Sequence, residues 1–277
     1  VALAARQWPG DPARVRKEAD RIRAARPTAV NLAWGVDRAL ARLTQGPQAV
    51  LEEALRLLEE DAAINRRIGE RGARYLSELG LDRVTVLTHC NTGALATVEW
   101  GTALGVVHRL HDEGRLDEVF ATETRPLLQG ARLTAWELGE MGVRYRLVAD
   151  SAAATVLARH LADVVIVGAD RVVANGDVAN KVGTYPIALA ARRAGIPFVV
   201  AAPESTIDSA TPSGADVQIE MRDPEEITSL GGVRTAPRDA RALNFAFDVT
   251  PADLVEAIIT DRRVIRPARG ERPDRPE

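Results

Sequence analysis

The stretch ADVVIVGADRVVANGDVANKVGTY, Ala162 to Tyr185, decides the fold. Its Val164–Val167 segment is too short for a helix and rich in β-branched residues, which is typical of a strand buried on both faces of a parallel sheet. A polar loop follows this strand, and a helix is predicted near Thr184. Open α/β sheets bind ligands just past the carboxyl ends of their strands. Asp170 and Lys181, both in this loop, are therefore the first candidates for chemistry and for phosphate binding.

Short strands and helices alternate on both sides of this stretch. Strands are predicted at Val84–Leu87, Glu118–Ala121, Tyr145–Val148, Val164–Val167 and Phe198–Ala201, and helices at about 94–112, 125–141, 151–161 and 184–194. Such alternation produces right-handed crossovers and a parallel sheet. We predict an α/β fold in which a helical N-terminal part is followed by a Rossmann-like, doubly wound parallel sheet.

The first 80 residues have a helical pattern and no convincing strand. Asp11-Pro12 predicts the start of one helix, Val30 to Leu43 the next, and a long amphipathic segment follows Pro47. Its acidic residues, which include Glu53 and Glu60, are interpreted as a solvent-exposed face. We predict a helical region over residues 1–80 and a catalytic domain over residues 81–277.

The C-terminal third is less regular. A last helix is predicted at Pro251–Ile259, and the tail from about residue 266, with three prolines and no apolar period, is predicted to be disordered. The chain opens with VALAARQWPG, without Met, and we expect that upstream sequence is missing.

Composition excludes several classes of protein. The longest apolar runs are shorter than the ~18 residues of a membrane span and no leader precedes them, so a cytoplasmic location is expected. A net charge of -3 and 4% aromatic residues argue against nucleic-acid binding. The only cysteine, Cys90, excludes an intramolecular disulfide and a multi-cysteine metal site. No metal site is predicted.

Two residues that follow predicted strands are candidates for catalysis. Cys90 precedes a predicted helix that would open at Thr92 or Gly93, and the amides and dipole there would stabilise a thiolate; a small buried hydrophobic role is the alternative. Asp170 would be an acid or base if burial raised its pKa. The alternative for Asp170 is a capping or loop-ordering carboxylate.

A second set of candidates would bind an anion. Lys17 and Lys181 are the only lysines. Asn180 and Lys181, just before a helix start at Gly183-Thr184, resemble an anion cradle of cation, amide and backbone N–H groups. No G-x-G-x-x-G follows a strand, so a dinucleotide cofactor has no support. These features predict an enzyme that handles a small phosphorylated substrate without a metal, and they leave isomerase and transferase both open.

Four long motifs make the prediction more specific. They are LTHCNTGALATVEWGTALGVV, ETRPLLQGARLTAWEL, VIVGADRVVANGDVANKVGTYPIALAA and VAAPESTID, in this order. Together they resemble the family of methylthioribose-1-phosphate isomerase, ribose-1,5-bisphosphate isomerase and the regulatory subunits of initiation factor 2B. The resemblance implies aldose–ketose isomerisation of 5-methylthioribose 1-phosphate in methionine salvage, with no cofactor. It also implies a homodimer with a helical N-terminal part and a Rossmann-like C-terminal part.

The resemblance also implies roles for single residues. Cys90 in HCN and Asp170 in GADR match the catalytic pair of the family. Its substrate-binding positions are matched by Arg26 in RPT, Gln129 in LQGAR, and Asn180 and Lys181 in ANK. On pattern alone, Gln129 is equally a helix-surface residue. The Arg-Gly-Ala phosphate-contacting motif of the family is expected upstream of residue 1.

Two alternatives stay open. Ribose-1,5-bisphosphate isomerase would share Cys90 and Asp170, but its second phosphate should require a further basic cluster, which the sequence does not offer. A non-catalytic regulatory or binding subunit would have no need for the two residues together.

Overall fold

A computed structural model describes residues 1–274 of the chain. Over these residues the α-helices, numbered α1 to α9 in chain order, are Ala2–Gln7, Pro12–Arg23, Val30–Leu40, Pro47–Glu78, Ala103–Asp112, Ala135–Glu140, Ala153–Ala158, Thr184–Ala194 and Glu225–Thr228. The strands, β1 to β13, are Val84–Thr88, Leu116–Thr122, Tyr145–Val148, Val164–Val167, Arg171–Val173, Val178–Lys181, Phe198–Ala201, Ile207–Asp208, Ser229–Leu230, Val233–Arg234, Phe247–Thr250, Ala257–Ile259 and Val264–Ile265.

A seven-stranded sheet forms the centre of the molecule, in the order β13-β12-β7-β4-β1-β2-β3. Its strands are parallel except for the edge pair β12–β13. All five strands expected from the sequence lie in it. The strand order reverses between β1 and β4, and at such a switch point the loops after the two strands separate and leave a crevice. The prediction of an α/β fold with a mostly parallel sheet is therefore confirmed.

Helices cover both faces of this sheet. Val164 and Ile166 of β4 pack with α4, α5 and α6, whereas Val165 and Val167 pack with α7 and α8. Successive side chains of a strand point to opposite faces, so the continuous apolar run of β4 is the pattern of a strand with a core on each side. All four residues are fully buried.

The polar loop expected between Asp170 and Lys181 is instead a hairpin. Strands β5 and β6 pair antiparallel and belong to a second sheet with the order β11-β6-β5-β8. The physical reason lies in the sequence: β-branched valines flank Asn175-Gly176, and Gly176 has a φ of +94°, which glycine adopts without strain. The hairpin holds Asp170 at one end and Lys181 at the other.

Two C-terminal predictions were wrong. The helix expected at Pro251–Ile259 is a short 3₁₀ turn, Ala252–Leu254, followed by β12, because its apolar end pairs with β7 in the central sheet. The tail from residue 266 is ordered as far as residue 274: Pro267 is buried, and the Arg266 backbone N–H donates to Glu271 at 2.7 Å. The remainder of the predicted tail lies outside the described residues.

Two predicted helices are shorter than expected. The helix of 94–112 begins only at Ala103, because residues before it form a tight loop in which Gly101 has a φ of +81°. A Cβ on Gly101 would lie 2.3 Å from the Gly93 Cα. The helix of 125–141 is reduced to α6 and a preceding π-helical turn, Gly130–Thr134.

The first four helices form the N-terminal part, and Asp11 caps α2 as expected by accepting the Arg14 N–H at 3.0 Å. Glu53, predicted to be solvent-exposed, is buried with 4% side-chain exposure beside Arg38, Arg42 and Arg56. Three guanidinium groups compensate the cost of burying this carboxylate.

In the described part of the chain, no helix is both long and apolar enough to cross a membrane.

Candidate active site

Cys90 and Asp170 follow β1 and β4, the two neighbouring strands at which the strand order reverses. The residues that the sequence placed at one sheet edge are therefore together. Lys181 and Arg26 both act on the Cys90 thiol by lowering its pKa, and the negative charge of Asp170 raises it. Arg26 also contacts Asp170 directly, at 2.9 Å, so we treat these four residues as one candidate site.

Several side chains hold the backbone of Cys90 in an unusual conformation. Its φ is +64°, in the left-handed region that non-glycine residues rarely adopt. The Cys90 N–H donates to Thr124 Oγ1 at 2.9 Å, and Thr134 Oγ1 donates to the Cys90 carbonyl at 2.5 Å. Such strain costs about 1–3 kcal/mol and is concentrated at functional sites.

The thiolate expected for Cys90 is not favoured in this structure. Burial raises the pKa of the Cys90 thiol to about 11, although the Asn91 backbone N–H and the nearby cations oppose the shift. The helix that was predicted to stabilise a thiolate does not begin at Thr92 or Gly93, because α5 starts at Ala103. At neutral pH Cys90 is therefore a thiol that carries its proton.

This protonation state can be measured by alkylation. At pH 7.5 iodoacetamide is expected to modify native Cys90 about 10²-fold more slowly than a thiol of ordinary pKa near 8.5, because only the thiolate reacts. The rate should rise about tenfold per pH unit up to about pH 10 and level off only above about pH 11. Mass spectrometry follows the single cysteine without ambiguity, and the chain unfolded in urea is the control. A rate that levels off below pH 9 would contradict the raised pKa.

Asp170 lies between the sheet and the N-terminal helices. Arg26 Nη2 donates to Asp170 Oδ1 at 2.9 Å, and the side chain of Asp170 is 17% exposed. Burial raises the pKa of the carboxyl group above its usual value, against the opposing charges of Arg26 and Lys181. The carboxyl group is thus closer to a state in which it can donate a proton than a surface aspartate is.

The turn between α2 and α3 brings Arg26 to the site. Arg171, the residue after Asp170, donates to the Pro27 and Thr28 carbonyl oxygens at 3.0 and 3.2 Å. The Val30 N–H donates to the Asp170 carbonyl oxygen at 3.3 Å. These bonds tie the RPT motif to the end of β4.

Asn180 and Lys181 end β6 and are both buried. Lys181 Nζ donates to the Ala246 carbonyl at 3.0 Å and lies 4.7 Å from the centroid of the Phe247 ring. Asn180 Nδ2 donates to Thr184 Oγ1 at 3.0 Å. The pair is held in place by the protein, as expected of groups that bind a ligand with a defined geometry.

One component of the predicted anion cradle is already occupied. The N–H groups of Gly183 and Tyr185 at the start of α8 donate to the Asp248 carboxylate at 2.7 and 3.1 Å. The helix N-terminus is therefore capped by a side chain and is not free for an anion.

Gln129 lies at the start of the π-helical turn, next to the end of β2. Its Oε1 atom is buried, and no donor in residues 1–274 reaches it. A buried carbonyl oxygen without a partner is costly in a folded protein, and π-helical turns are frequent at functional sites. These features favour a ligand-binding position over a helix-surface position.

The sequence reasoning did not assign a role to His89. The ring is 1% exposed; Nδ1 accepts from Thr122 Oγ1 at 2.6 Å, and Nε2–H donates to the Val182 carbonyl at 2.9 Å. Burial lowers the pKa of His89, so the ring is neutral. Gly183 packs against it, since a Cβ there would lie 2.9 Å from the ring. His89 thus connects the ends of β1, β2 and β6.

Glu137 was also missed. Its carboxylate accepts from Asn91 Nδ2 at 2.8 Å and from the N–H groups of Ala94 and Leu95 at 2.7 and 3.3 Å. Glu137 thereby accepts hydrogen bonds from backbone N–H groups of the loop after Cys90. The sequence signal for this role is the acidic residue in LTAWEL. Among residues 1–274, no group of His, Cys, Asp and Glu is arranged to hold a metal ion.

The site contains two groups that can carry a proton, a thiol and a carboxyl, beside two cations. This arrangement suits proton movement on an anionic substrate.

The sequence profile of the Initiation factor 2 subunit family matches residues 12–267 of the chain.

Named relatives resemble the chain over most of its length. A methylthioribose-1-phosphate isomerase of Anaeromyxobacter sp. (strain Fw109-5) is 53% identical over 266 residues, which cover 96% of this chain and 77% of that protein. A probable bifunctional methylthioribose-1-phosphate isomerase/methylthioribulose-1-phosphate dehydratase of Nocardia farcinica is 57% identical over 256 residues, which cover 92% of this chain. The chain spans only 46% of that bifunctional protein.

A solved structure has the same fold. The crystal structure of 5-methylthioribose 1-phosphate isomerase from Pyrococcus horikoshii OT3 superimposes with a TM-score of 0.83 and 45% sequence identity. The match covers 91% of this chain and 72% of that one.

Proposed function

The chain belongs to the Initiation factor 2 subunit family and, within it, to the methylthioribose-1-phosphate isomerases, and on this premise we propose that it converts 5-methylthioribose 1-phosphate to 5-methylthioribulose 1-phosphate in methionine salvage. The observation that carries the proposal is the meeting of Cys90 and Asp170 at the switch point, beside Arg26 and Lys181. The reaction is an aldose–ketose isomerisation.

The substrate sets a particular chemical problem. Its phosphate blocks the anomeric oxygen, so the sugar ring cannot open spontaneously to an aldehyde. We assign to Asp170 the donation of a proton to the ring oxygen, because burial raises the pKa of this carboxyl group. As a carboxylate, Asp170 then accepts the proton of the C2 hydroxyl group while hydrogen moves from C2 to C1. One residue thus supplies and recovers one proton.

Cys90 is assigned to the centre between C1 and C2. A thiol with a pKa of about 11 is not a strong base at neutral pH. It contributes instead a compact, weakly polar wall that keeps water from the transferring hydrogen. This assignment favours direct transfer of a hydride from C2 to C1 over removal of a proton by a thiolate.

The remaining predicted residues bind the substrate. Lys181, fixed between a carbonyl group and a ring, is placed as a compact charge for the phosphate. Arg26, beside Asp170, adds a second cation. Gln129 Oε1, buried without a donor, is available to a sugar hydroxyl group, and Asn180 orients the same end of the sugar as Lys181.

Turnover of 5-methylthioribose 1-phosphate tests the proposal directly, with ribose 1,5-bisphosphate as the competing substrate and Cys90→Ser as the control. Selective turnover of the methylthio sugar is expected, and it should be lowered in the variant, because a serine hydroxyl group is more polar than a thiol and holds water more readily. Preference for the bisphosphate would favour the related isomerase. Binding without turnover of either ester would favour a regulatory subunit.

Isotope labelling distinguishes direct hydride transfer from C2 to C1 from removal of a proton by Cys90. For a single turnover in D₂O we expect almost no deuterium at C1 of the product, because a hydride passes within the substrate and does not exchange with solvent. Substrate deuterated at C2 is the matched control and should deliver its label to C1. Proton NMR of the product measures both. Full incorporation of solvent deuterium at C1 would refute direct transfer and restore Cys90 as a base.

We also infer a cytoplasmic homodimer with a Rossmann-like catalytic domain, as the sequence and its resemblance imply. Size-exclusion chromatography with light scattering should give twice the chain mass of 29.9 kDa. A single-chain mass at micromolar concentration would contradict the dimer.

A further inference from the structure

Three consecutive residues contact Lys181 or the start of the helix that follows it: Ala246, just before β11, and Phe247 and Asp248, the first two residues of β11. The Ala246 carbonyl accepts from Lys181 Nζ at 3.0 Å, and the Phe247 ring lies under the same ammonium group at 4.7 Å. Asp248 binds the helix that follows the pair, through the N–H groups of Gly183 and Tyr185. We call Ala246–Asp248 the β11 clamp.

Strand pairing fixes the register of this clamp. Strand β11 runs antiparallel to β6, with Phe247 opposite Lys181 and Asp248 opposite Asn180. A slip of one residue would turn every side chain to the other face. The Asp248 carboxylate reaches over the end of β6 to the first turn of α8, so strand and helix are joined at the residue pair between them.

Stability alone does not explain why a carboxylate occupies position 248. Burial raises the pKa of its carboxyl group to about 6, which means that the ionised form is expensive to keep at neutral pH. Only a carboxylate offers two oxygens to two backbone N–H groups at once. An amide would accept one and point a donor at the other. The position therefore retains a costly group with a geometry that the amide lacks.

We propose that Asp248 is a positioning residue, which fixes Asn180 and Lys181 for the substrate through the start of α8 without contacting the substrate itself. The inference rests on the proposed substrate-binding role of this pair. The clamp acts by positioning alone. Asp248 binds backbone N–H groups on one side of the pair, and Ala246 and Phe247 hold the ammonium group on the other.

The chain offers a matched control in Asp177, at the opposite end of β6. Its partly buried carboxylate also accepts two distant backbone N–H groups, from Gly214 and Ala252, each at 2.9 Å. Asp248→Asn is expected to raise KM about tenfold, equal to about 1.4 kcal/mol of lost binding, with a much smaller change in kcat and a lower melting temperature, because one backbone N–H at the start of α8 loses its acceptor. Asp177→Asn should lower the melting temperature and leave KM unchanged.

A second readout does not depend on catalysis. Lys17 and Lys181 are the only lysines of the chain, and Lys17 is exposed. Protein labelled with ¹³Cε-lysine therefore gives two side-chain NMR signals, of which that of Lys181 is displaced by the Phe247 ring. In Asp248→Asn the Lys181 signal should move towards that of Lys17, and in Asp177→Asn it should stay. If the wild type lacks isomerase activity, this measurement still decides whether the clamp exists.

Asp248→Ser keeps the inference testable if the asparagine variant does not fold, since serine is a good helix cap with a single acceptor oxygen. It should show the same displacement of Lys181 and the same rise in KM. A lower melting temperature with unchanged KM and an unchanged Lys181 signal, in either folded variant, would reduce Asp248 to a structural cap and overturn the proposal.

Discussion

Asp170→Asn is expected to lower kcat by about 10²–10⁴-fold, the usual contribution of a positioned general acid or base, with little change in KM. The amide matches the carboxyl group in shape, but it can neither protonate the ring oxygen nor accept the proton of the C2 hydroxyl group. Steady-state kinetics with 5-methylthioribose 1-phosphate measure the effect.

The activity of the wild type should also change with pH in a defined direction. A raised pKa keeps Asp170 protonated to higher pH than an ordinary aspartate, so kcat/KM of the wild type should fall as pH rises through that pKa. The fall should be absent from the residual activity of Asp170→Asn.

Asp208 provides the control for Asp170. Its side chain is also 17% exposed and also pairs with one arginine, Arg171, at 3.1 Å. Asp208→Asn should keep most of the wild-type kcat. Equal losses in the two variants would show that a buried ion pair, and not acid–base chemistry, explains the effect.

Gly130→Ala is expected to destabilise the fold by about 3 kcal/mol or more, the upper range of overpacking effects. A Cβ at this position would lie 1.7 Å from the Thr122 carbonyl oxygen, which belongs to β2 and cannot move aside. The π-helical turn would have to shift, and with it Gln129 and Thr134, the residue that holds the Cys90 carbonyl. Urea denaturation followed by circular dichroism gives the free energy of unfolding.

Gly139 in α6 is the matched control, since a Cβ there meets nothing within 4 Å. Gly139→Ala should stabilise the protein by about 0.5–1 kcal/mol, because alanine loses less conformational entropy in a helix. Similar free energies of unfolding for the two variants would refute the steric argument for Gly130.

Sequence alone predicted the features that depend on local pattern. The buried run of β4 and the polar residues after β1 and β4 were sufficient to place Cys90 and Asp170 at one edge of a parallel sheet, because the topology of such sheets is restricted. The motif containing Lys181 was found in the same way, from a cation in a loop between a strand and a helix.

The errors arose where distant contacts override local preference. The segment Pro251–Ile259 has a helical composition, but its end becomes β12 because an open edge of β7 is available to it. The thiolate prediction for Cys90 depended on a helix that a glycine-containing loop delays by about ten residues. Likewise, no local pattern shows that Asp248, over sixty residues downstream, caps α8.

The bonds from the RPT motif to the end of β4 have a consequence for how this protein could gain or lose activity. Arg26 on the helical side and the sheet on the other together set the acidity of Asp170. The strength of the acid is therefore a joint property of two modules. Helices that move away from the sheet would remove Arg26 and expose Asp170, so a change in the helical part alone would alter the acidity of this carboxyl group.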